Sequence, residues 1–377
     1  MGAAEFSAVP IVVPTVPASA LTVETASVAT GLTVNMAPGN GANRLVLIHS
    51  NSAVNAIPVD GVTYNANPTF GAGSQIGQGN YVAYAGSGTS ATITGLSECT
   101  KYYMAVYEYN GTGTNTKYLC NAPAMAAVGE STTFENGTWS KGMPNNYTEA
   151  IIESNYTLPA SMTACKLTIR NNANVIVPAN YDVILNGPLV VESGSEFKMA
   201  SNTNLIQETD VQNSGVISVE RQSSSLFRLD YTMWGSPVIG SQTLKQFSPQ
   251  TVDNRFYIYN SSTDVFNTVS PVTAFTSGKG YLIRMPDNHT PFVVGATNTP
   301  TAWTGTFVGT PTNGDVSVNL ESGLNGFNML SNPYASMIDV KKFLTDNSAA
   351  IEGTIYFWRR RNAVPDASAY YATYTYA

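Results

Sequence analysis

Leu167-Thr168-Ile169, Val175-Ile176-Val177, Val183-Ile184-Leu185, Leu189-Val190-Val191 and Phe197-Lys198-Met199 are apolar triplets that follow one another every 6–8 residues. Asn, Gly or Pro fills most of the gaps, as in Asn171-Asn172-Ala173-Asn174 and Asn186-Gly187-Pro188. So short and regular a spacing does not suit a sandwich. It suits a small β-solenoid or roll, in which each strand stacks on the strand one coil earlier and its inward side chain joins an apolar column. Residues 134–215 are therefore expected to form a β-solenoid-like segment.

Upstream, residues 9–133 read as a separate domain. Short runs rich in Val, Ile, Thr and Tyr alternate with Gly, Asn, Pro and Ser clusters, the pattern of antiparallel strands. Five strands are expected at residues 32–36, 44–48, 81–84, 91–94 and 102–109, with a further one near 21 and another near 124–132. Turn signals such as Pro38-Gly39-Asn40-Gly41 and Asn110-Gly111-Thr112-Gly113 separate several of them. The apolar run Val9-Pro10-Ile11-Val12-Val13-Pro14 reads as the opening strand. About seven strands in this length make a sandwich of the immunoglobulin or fibronectin type III kind. In Leu96-Ser97-Glu98-Cys99-Thr100-Lys101-Tyr102, the leucine six residues ahead of a strand-opening tyrosine suits a tyrosine corner, whose hydroxyl bonds back to the backbone. With these features and the passages Asn80-Tyr81-Val82-Ala83-Tyr84 and Tyr107-Glu108-Tyr109-Asn110, the segment resembles a fibronectin type III domain of the Gly/Asn-rich variety found in secreted proteins of Bacteroidetes. It departs from that pattern at Met36, where such domains place a core tryptophan; methionine can fill the volume.

Downstream, residues 216–377 are expected to form an aromatic-rich β domain with one covering helix, incomplete at its C-terminal edge. Phe256-Tyr257-Ile258-Tyr259 and Ile355-Tyr356-Phe357-Trp358 are strands with large rings on both faces, and the closing Tyr370-Tyr371-Ala372-Thr373-Tyr374-Thr375-Tyr376-Ala377 is strand-like. The helix is placed over residues 336–351, with Ser336 and Asp339 as a capping-box-like start, Met337, Val340, Phe343 and Leu344 on one stripe, and Lys341 and Lys342 facing water. The fold class is thus all-β: a fibronectin type III-like sandwich, a short β-solenoid or roll, then the aromatic-rich domain.

Composition narrows the function. Only 11% of the 377 residues are charged and the formal charge is −7. An average soluble domain carries about 25% charged residues, so uncharged polar groups must carry solubility. The thin, net-acidic charge argues against nucleic acid as a partner. Arg359-Arg360-Arg361 is the lone basic cluster and reads as a solvated loop. No apolar run is long enough for a membrane-spanning helix. Met1-Gly2-Ala3-Ala4-Glu5-Phe6 lacks the pattern of a signal peptide and reads as an expression scar. Cys99, Cys120 and Cys165 allow at most one bridge, with Cys99–Cys120 the pair nearest in sequence.

Catalytic patterns are scarce. His49 and His289 stand alone, without a second His, Cys or carboxylate at metal-ligand spacing, and read as satisfied structural residues. Gly71-Ala72-Gly73-Ser74-Gln75-Ile76-Gly77 misses the dinucleotide spacing and reads as a loop. Two carboxylate pairs, Glu192/Glu196 and Glu208/Asp210, could serve glycoside hydrolysis or contact Ca²⁺, yet solvated turn acids explain them better. No catalytic residue, metal ligand or cofactor is assigned; calcium stays open without a motif for it. The remaining candidates are aromatic. Strand alternation pairs Tyr257 with Tyr259 and Tyr356 with Trp358, and paired exposed rings can form flat platforms for sugars. A two-sided core is the competing reading.

Gly137-Thr138-Trp139, Trp234-Gly235-Ser236-Pro237-Val238, Gly278-Lys279-Gly280-Tyr281, Gly326-Phe327-Asn328-Met329-Leu330-Ser331-Asn332-Pro333-Tyr334 and the run 351–358 follow one another in an order that resembles Bacteroidetes surface proteins exported by type IX secretion. That resemblance implies a secreted or cell-surface, non-enzymatic adhesin-like protein, with surface glycans or other cell-surface proteins as partners. The alternative is an accessory substrate-binding region of a secreted polysaccharide-degrading enzyme. The resemblance carries no catalytic residues with it.

Overall fold

Strands form 39% of the chain and helices 4%. The computed structural model describes residues 10–25, 31–360 and 369–375. The chain divides into two units, residues 1–132 with 143–149, and residues 133–142 with 150–377.

The first unit is a two-sheet sandwich, the architecture expected for its fibronectin type III-like pattern. Ser19–Thr25, Leu32–Ala37 and Ser90–Ile93 form one antiparallel sheet. Tyr81–Gly86, Asn43–Ser50 and Tyr102–Asn110 form the other, extended by Lys117–Tyr118 and Ala124–Val128, which both pair with the long strand Tyr102–Asn110. Alternation sends Leu32, Val34 and Met36 inward from one sheet and Val46, Ile48, Met104 and Val106 from the other. Met36 fills a core position, so the absent tryptophan leaves no hole there. The tyrosine corner forms: Tyr102 is buried and its hydroxyl accepts the Ser97 N–H at 2.9 Å.

Two features depart from expectation. The run Leu45-Val46-Leu47-Ile48 is buried on both faces, because residues 51–80 fold over the outer side of the second sheet and set Val54 and Ile76 against Leu45, Leu47, Val82 and Tyr107. The prolines at 10 and 14 also keep their neighbourhood out of any sheet, since each removes a backbone donor. Ile11, Val12 and Val13 lie exposed, the Asn40 side chain takes the Thr15 and Val16 N–H groups, and the first strand begins at Ser19. Val9 and residues 1–6 lie outside the described residues. Cys120 is a free thiol, so the Cys99–Cys120 bridge does not form.

A buried ion pair closes one end of this sandwich. Arg44 and Glu108 are cross-strand partners, 4% and 1% exposed, with Nη1 and Oε1 3.7 Å apart. Glu108 Oε1 also accepts the Gly39 N–H at 2.8 Å, and Arg44 donates to the Ser87 and Gly88 carbonyls. Removing one member strands the other charge without water.

The second unit opens with the solenoid, about four turns over residues 132–219. Three parallel sheets form its walls. Ala150–Ile152, Leu167–Ile169 and Leu189–Val191 stack in one, Tyr156–Thr157, Asn174–Val177 and Glu196–Met199 in the second, Met162–Ala164, Asp182–Leu185 and Asn204–Gln207 in the third. Leu167 lies beside Leu189 and Val183 beside Leu205, so these coils are 22 residues long. Inward residues make continuous columns, for example Val175 to Phe197 and Val177 to Met199 to Val219. Corners need positive φ, which Asn tolerates better than other side chains: Asn171, Asn172, Asn180 and Asn202 all adopt it. Asn180 and Asn202 stack one coil apart and bond through their side-chain amides.

The last parallel strand, Ile217–Gln222, is paired on its far side by the antiparallel Thr304–Pro311, which in turn pairs with Val238–Ile239. The solenoid wall thus runs into an antiparallel sheet, and Leu189, Phe197, Trp234, Phe256 and Phe307 belong to one hydrophobic core. A second antiparallel sheet orders Tyr231–Trp234, Tyr281–Arg284, Phe256–Asn260 and Val265–Thr268, and Thr354–Arg360 pairs with Ala369–Thr375 as a hairpin.

Helix is scarcer than the hydrophobic stripe suggests. The helix expected over 336–351 spans only Val340–Asp346, capped by Asp339 accepting the Lys342 N–H. Residues 336 and 337 are engaged otherwise: Asn332 donates to the Ser336 carbonyl, and Met337, 72% exposed, gives its N–H to Asn204. Lys341 and Lys342 do face water. A second, one-turn helix, Leu244–Phe247, carries a true capping box between Thr243 and Gln246. Arg359 and Arg360 end a strand instead of lying in a loop, and Arg361 lies outside the described residues.

Two stability outcomes follow from these cores. Glu108→Ala is expected to cost about 3–5 kcal/mol by urea denaturation, the usual consequence of stranding a buried charge. Phe197→Ala, at a position 1% exposed, is expected to cost about 3–5 kcal/mol in the transition of the second unit.

Candidate functional site

The sheet containing Phe256–Asn260 has two chemically different faces. Cross-strand partners share a face, so Trp234, Tyr281, Phe256 and Ile283 turn to the core while Tyr231, Met233, Leu282 and Tyr257 turn away from it. Tyr259, two residues beyond Tyr257, lies on that outer face with its cross-strand partner Phe266. The hairpin Thr354–Arg360 with Ala369–Thr375 is tied to it, since Trp358 donates its Nε1–H to the Tyr231 carbonyl at 3.1 Å.

The expected residues Tyr257, Tyr356 and Trp358 are thereby linked through rings that the sequence reading did not single out. Tyr257 meets Tyr231 with ring centres 5.8 Å apart. Trp358 meets Tyr371, its cross-strand partner, at 5.5 Å, and Tyr371 meets Tyr356 at 6.2 Å. Phe327 adds a further ring 5.5 Å from Tyr356. Tyr259 makes its ring contact with Phe266 instead and stands outside this ring group.

Exposure divides the four. Tyr356 and its neighbour Tyr371 are 48% and 49% exposed, and Phe327 is 47% exposed. Tyr257, Tyr259 and Trp358 are half-buried and have structural partners. Tyr257 accepts from Arg255 Nη1 at 3.2 Å. Burial works to raise the Tyr257 hydroxyl, but hydrogen bonds from Arg255 and Tyr231 outweigh it and hold the group below the ordinary phenol value. Tyr259 donates to Asp264, which Asn325 also donates to. Burial first, and that bond second, push Tyr259 up to about 12. The same two bonds hold Asp264 below the usual carboxylate range.

The exposed rings do not make a flat platform. Phe327 with Tyr356, Tyr356 with Tyr371, and Tyr371 with Trp358 cross at 89°, 89° and 80°. Edge-to-face contact is the favoured arrangement of aromatic quadrupoles, and it presents a ligand with alternating faces and edges. The signal for Tyr371 was present in the tyrosine-rich closing stretch, but its register against Trp358 is set by hairpin pairing, which periodicity does not reveal.

Other candidates are dispersed. His49 Nδ1 lies 2.7 Å from the Ser50 carbonyl, and His289 Nε2 lies 3.0 and 3.1 Å from the Leu226 and Thr301 carbonyls. Glu192, Glu196, Glu208 and Asp210 are all exposed, and Glu196 pairs with Lys198 at 2.6 Å. Among the described residues no group of three or more His, Cys, Asp or Glu side chains is placed to hold a metal ion. No helix among them is long and apolar enough to cross a membrane.

A phenol whose folded pKa is raised stabilises the fold while protonated; that contribution is complete below the unfolded value near 10 and is lost as pH rises through the folded value. Subtracting the alkaline absorbance titration of Tyr259→Phe from that of the parent protein is therefore expected to isolate a phenol ionising near 12. A difference curve centred near 10 would show that Tyr259 is neither withdrawn from water nor bonded to Asp264.

The family described as Domain of unknown function (DUF8693) matches residues 128–377. This stretch takes in the solenoid, the mixed sheet that closes it and the aromatic hairpin. Neither a curated protein nor a solved structure matches the chain. With more than half of its length matched, and with the candidate face inside that length, the chain belongs to the DUF8693 family.

Proposed function

We propose that the chain is an exported, non-catalytic surface protein of the Bacteroidetes type IX secretion kind, acting in adhesion or display, whose aromatic hairpin face binds glycans. The observation that carries the reading is the exposed series Phe327, Tyr356 and Tyr371, backed by Trp358 and held to a rigid sheet by the Trp358–Tyr231 hydrogen bond. Rings so placed offer apolar faces to sugar C–H groups and phenol hydroxyls to sugar hydroxyls. A scaffold with few charges and an extended stacked core supports a display role, and the backbone-bonded histidines support a non-catalytic one.

Glycan-array binding by the parent protein, Tyr356→Ala and Tyr371→Ala tests this reading. Each substitution removes an exposed ring that touches its neighbours only edge-on, so the fold is expected to persist while affinity for the bound glycan falls about tenfold, equivalent to about 1.4 kcal/mol. An array with no bound glycan, or glycans bound equally well by both variants, would count against it. Should the bound glycans be confined to one degradable polysaccharide, the accessory-region reading gains over adhesion.

A further inference from the structure

A cavity of about 290 Å³ lies in the second unit, where three separated phrases of sequence meet: Trp234-Gly235 with Pro237, Gly280, and Leu330-Ser331-Asn332 with Tyr334. It is near the lower end of ligand-pocket sizes, about 300–1,000 Å³. Two glycines make the convergence possible. A Cβ on Gly235 would fall 2.0 Å from Ser331 Cβ, and one on Gly280 would fall 2.9 Å from Met329 Cγ. The Ser331 N–H bonds to the Gly278 carbonyl at 2.9 Å and its hydroxyl donates to the Lys279 carbonyl at 3.1 Å, holding the two segments together.

One residue in this cavity is out of place for a structural core. Ile217, Val219 and Arg221 share the inward side of their strand, and the first two are buried in the common core. Arg221 occupies the third position of that column and lines the cavity beside Trp234 and Phe307. Its Nη1 donates to the Glu220 carbonyl at 3.0 Å, and among the described residues no carboxylate pairs with it. Burial lowers the guanidinium from its ordinary value with no neighbouring charge to offset it. Arg221 is half-buried, so this guanidinium is part-withdrawn from water with no carboxylate beside it.

The other polar groups of the wall are engaged. Asn332 accepts the Tyr334 N–H and donates to the Ser336 carbonyl, and the Tyr334 hydroxyl donates to the Gly314 carbonyl. Trp234 keeps a buried Nε1–H with no acceptor. What remains unpartnered is therefore donor in character, and apolar lining comes from Trp234, Pro237 and Leu330. A sugar would bring several hydroxyl donors with little to receive them.

We propose that this cavity binds the carboxylate of a compact apolar acid, with Arg221 holding the carboxylate and Trp234, Pro237 and Leu330 alongside the hydrocarbon body. The acid can be a free molecule or the carboxyl end of a peptide closing on an apolar residue; both present the same group. The site is separate from the aromatic hairpin face and does not rest on the glycan reading.

Calorimetric titration of the full chain with 4-methylpentanoate and with 4-methylpentanamide tests the charge requirement, and a short peptide ending in leucine, with a free or an amidated C-terminus, tests the source. The acid, the free-ended peptide or both are expected to bind at least about tenfold more tightly than the matching amide, the scale of a charge-assisted hydrogen bond. Arg221→Gln is expected to erase that difference, and Leu330→Trp to fill the mouth and abolish binding. Whichever acid binds names the source. Equal affinity for acid and amide, no binding of either acid, or a preference unchanged by Arg221→Gln would overturn the proposal; so would binding of galacturonate in place of the apolar acids. If Arg221→Gln does not fold, the acid–amide comparison on the parent protein decides the matter alone.

Discussion

The strand Ile217–Gln222 has a parallel neighbour on one side and an antiparallel neighbour on the other. A solenoid coil cannot end without exposing a row of unpaired backbone groups, and such an edge recruits other strands. Here Thr304–Pro311 satisfies that edge, and in doing so fixes where the aromatic sheet and its hairpin stand relative to the stacked coils. Gly309 makes the fit possible at one point, since a Cβ there would lie 2.4 Å from the Ile239 carbonyl oxygen. The core does not stop at the junction either: Val219, cross-strand from Phe307, continues a solenoid column into the ring cluster of Trp234, Phe247 and Phe307. Both candidate surfaces in this unit depend on that continuity.

How legible was this in the amino acids? The solenoid was visible because its physics is local and repetitive: an inward triplet, a corner residue tolerant of positive φ, and the same again. The sandwich strands were visible because each is bounded by turn chemistry, and the tyrosine corner because its spacing is fixed by one hydrogen bond between Tyr102 and Ser97. The helix was misread in extent for the opposite reason. Residues 336 and 337 carry a helical pattern, but Asn332 takes the Ser336 carbonyl that would accept the first bond of a longer helix, and Asn204, more than a hundred positions away, holds the Met337 N–H. Tertiary bonds overrode propensity there.

The candidate face was half legible. Alternation alone named Tyr257, Tyr259, Tyr356 and Trp358, but it could not say that Tyr231 and Tyr371 join three of them, because both links depend on long-range strand pairing. Nor could it distinguish rings that pack from rings that are offered. Arg221 is the clearer case of information hidden from a linear reading. In sequence it lies inside a polar stretch, Glu220-Arg221-Gln222, with nothing to mark it. Only once Val219 is seen to be core does the inward direction of Arg221, two residues on, become chemically odd.

Charge scarcity ties these observations together. In a chain with few ionic groups, a buried one must have a reason. Arg44 has one in Glu108, which sits directly across the strand pair and shares its burial. Arg284 has another in Asp287, 3.1 Å away at a partly exposed position. Arg221 faces Gly305 across its strand pair, a residue with no side chain to answer it, and Gly305 cannot readily gain one because a Cβ would strike the Phe247 ring at 2.3 Å. Among the described residues no carboxylate answers Arg221 at that position, and the guanidinium lines the cavity, which is why the acid proposed for that cavity would meet a cation the chain itself leaves unpaired.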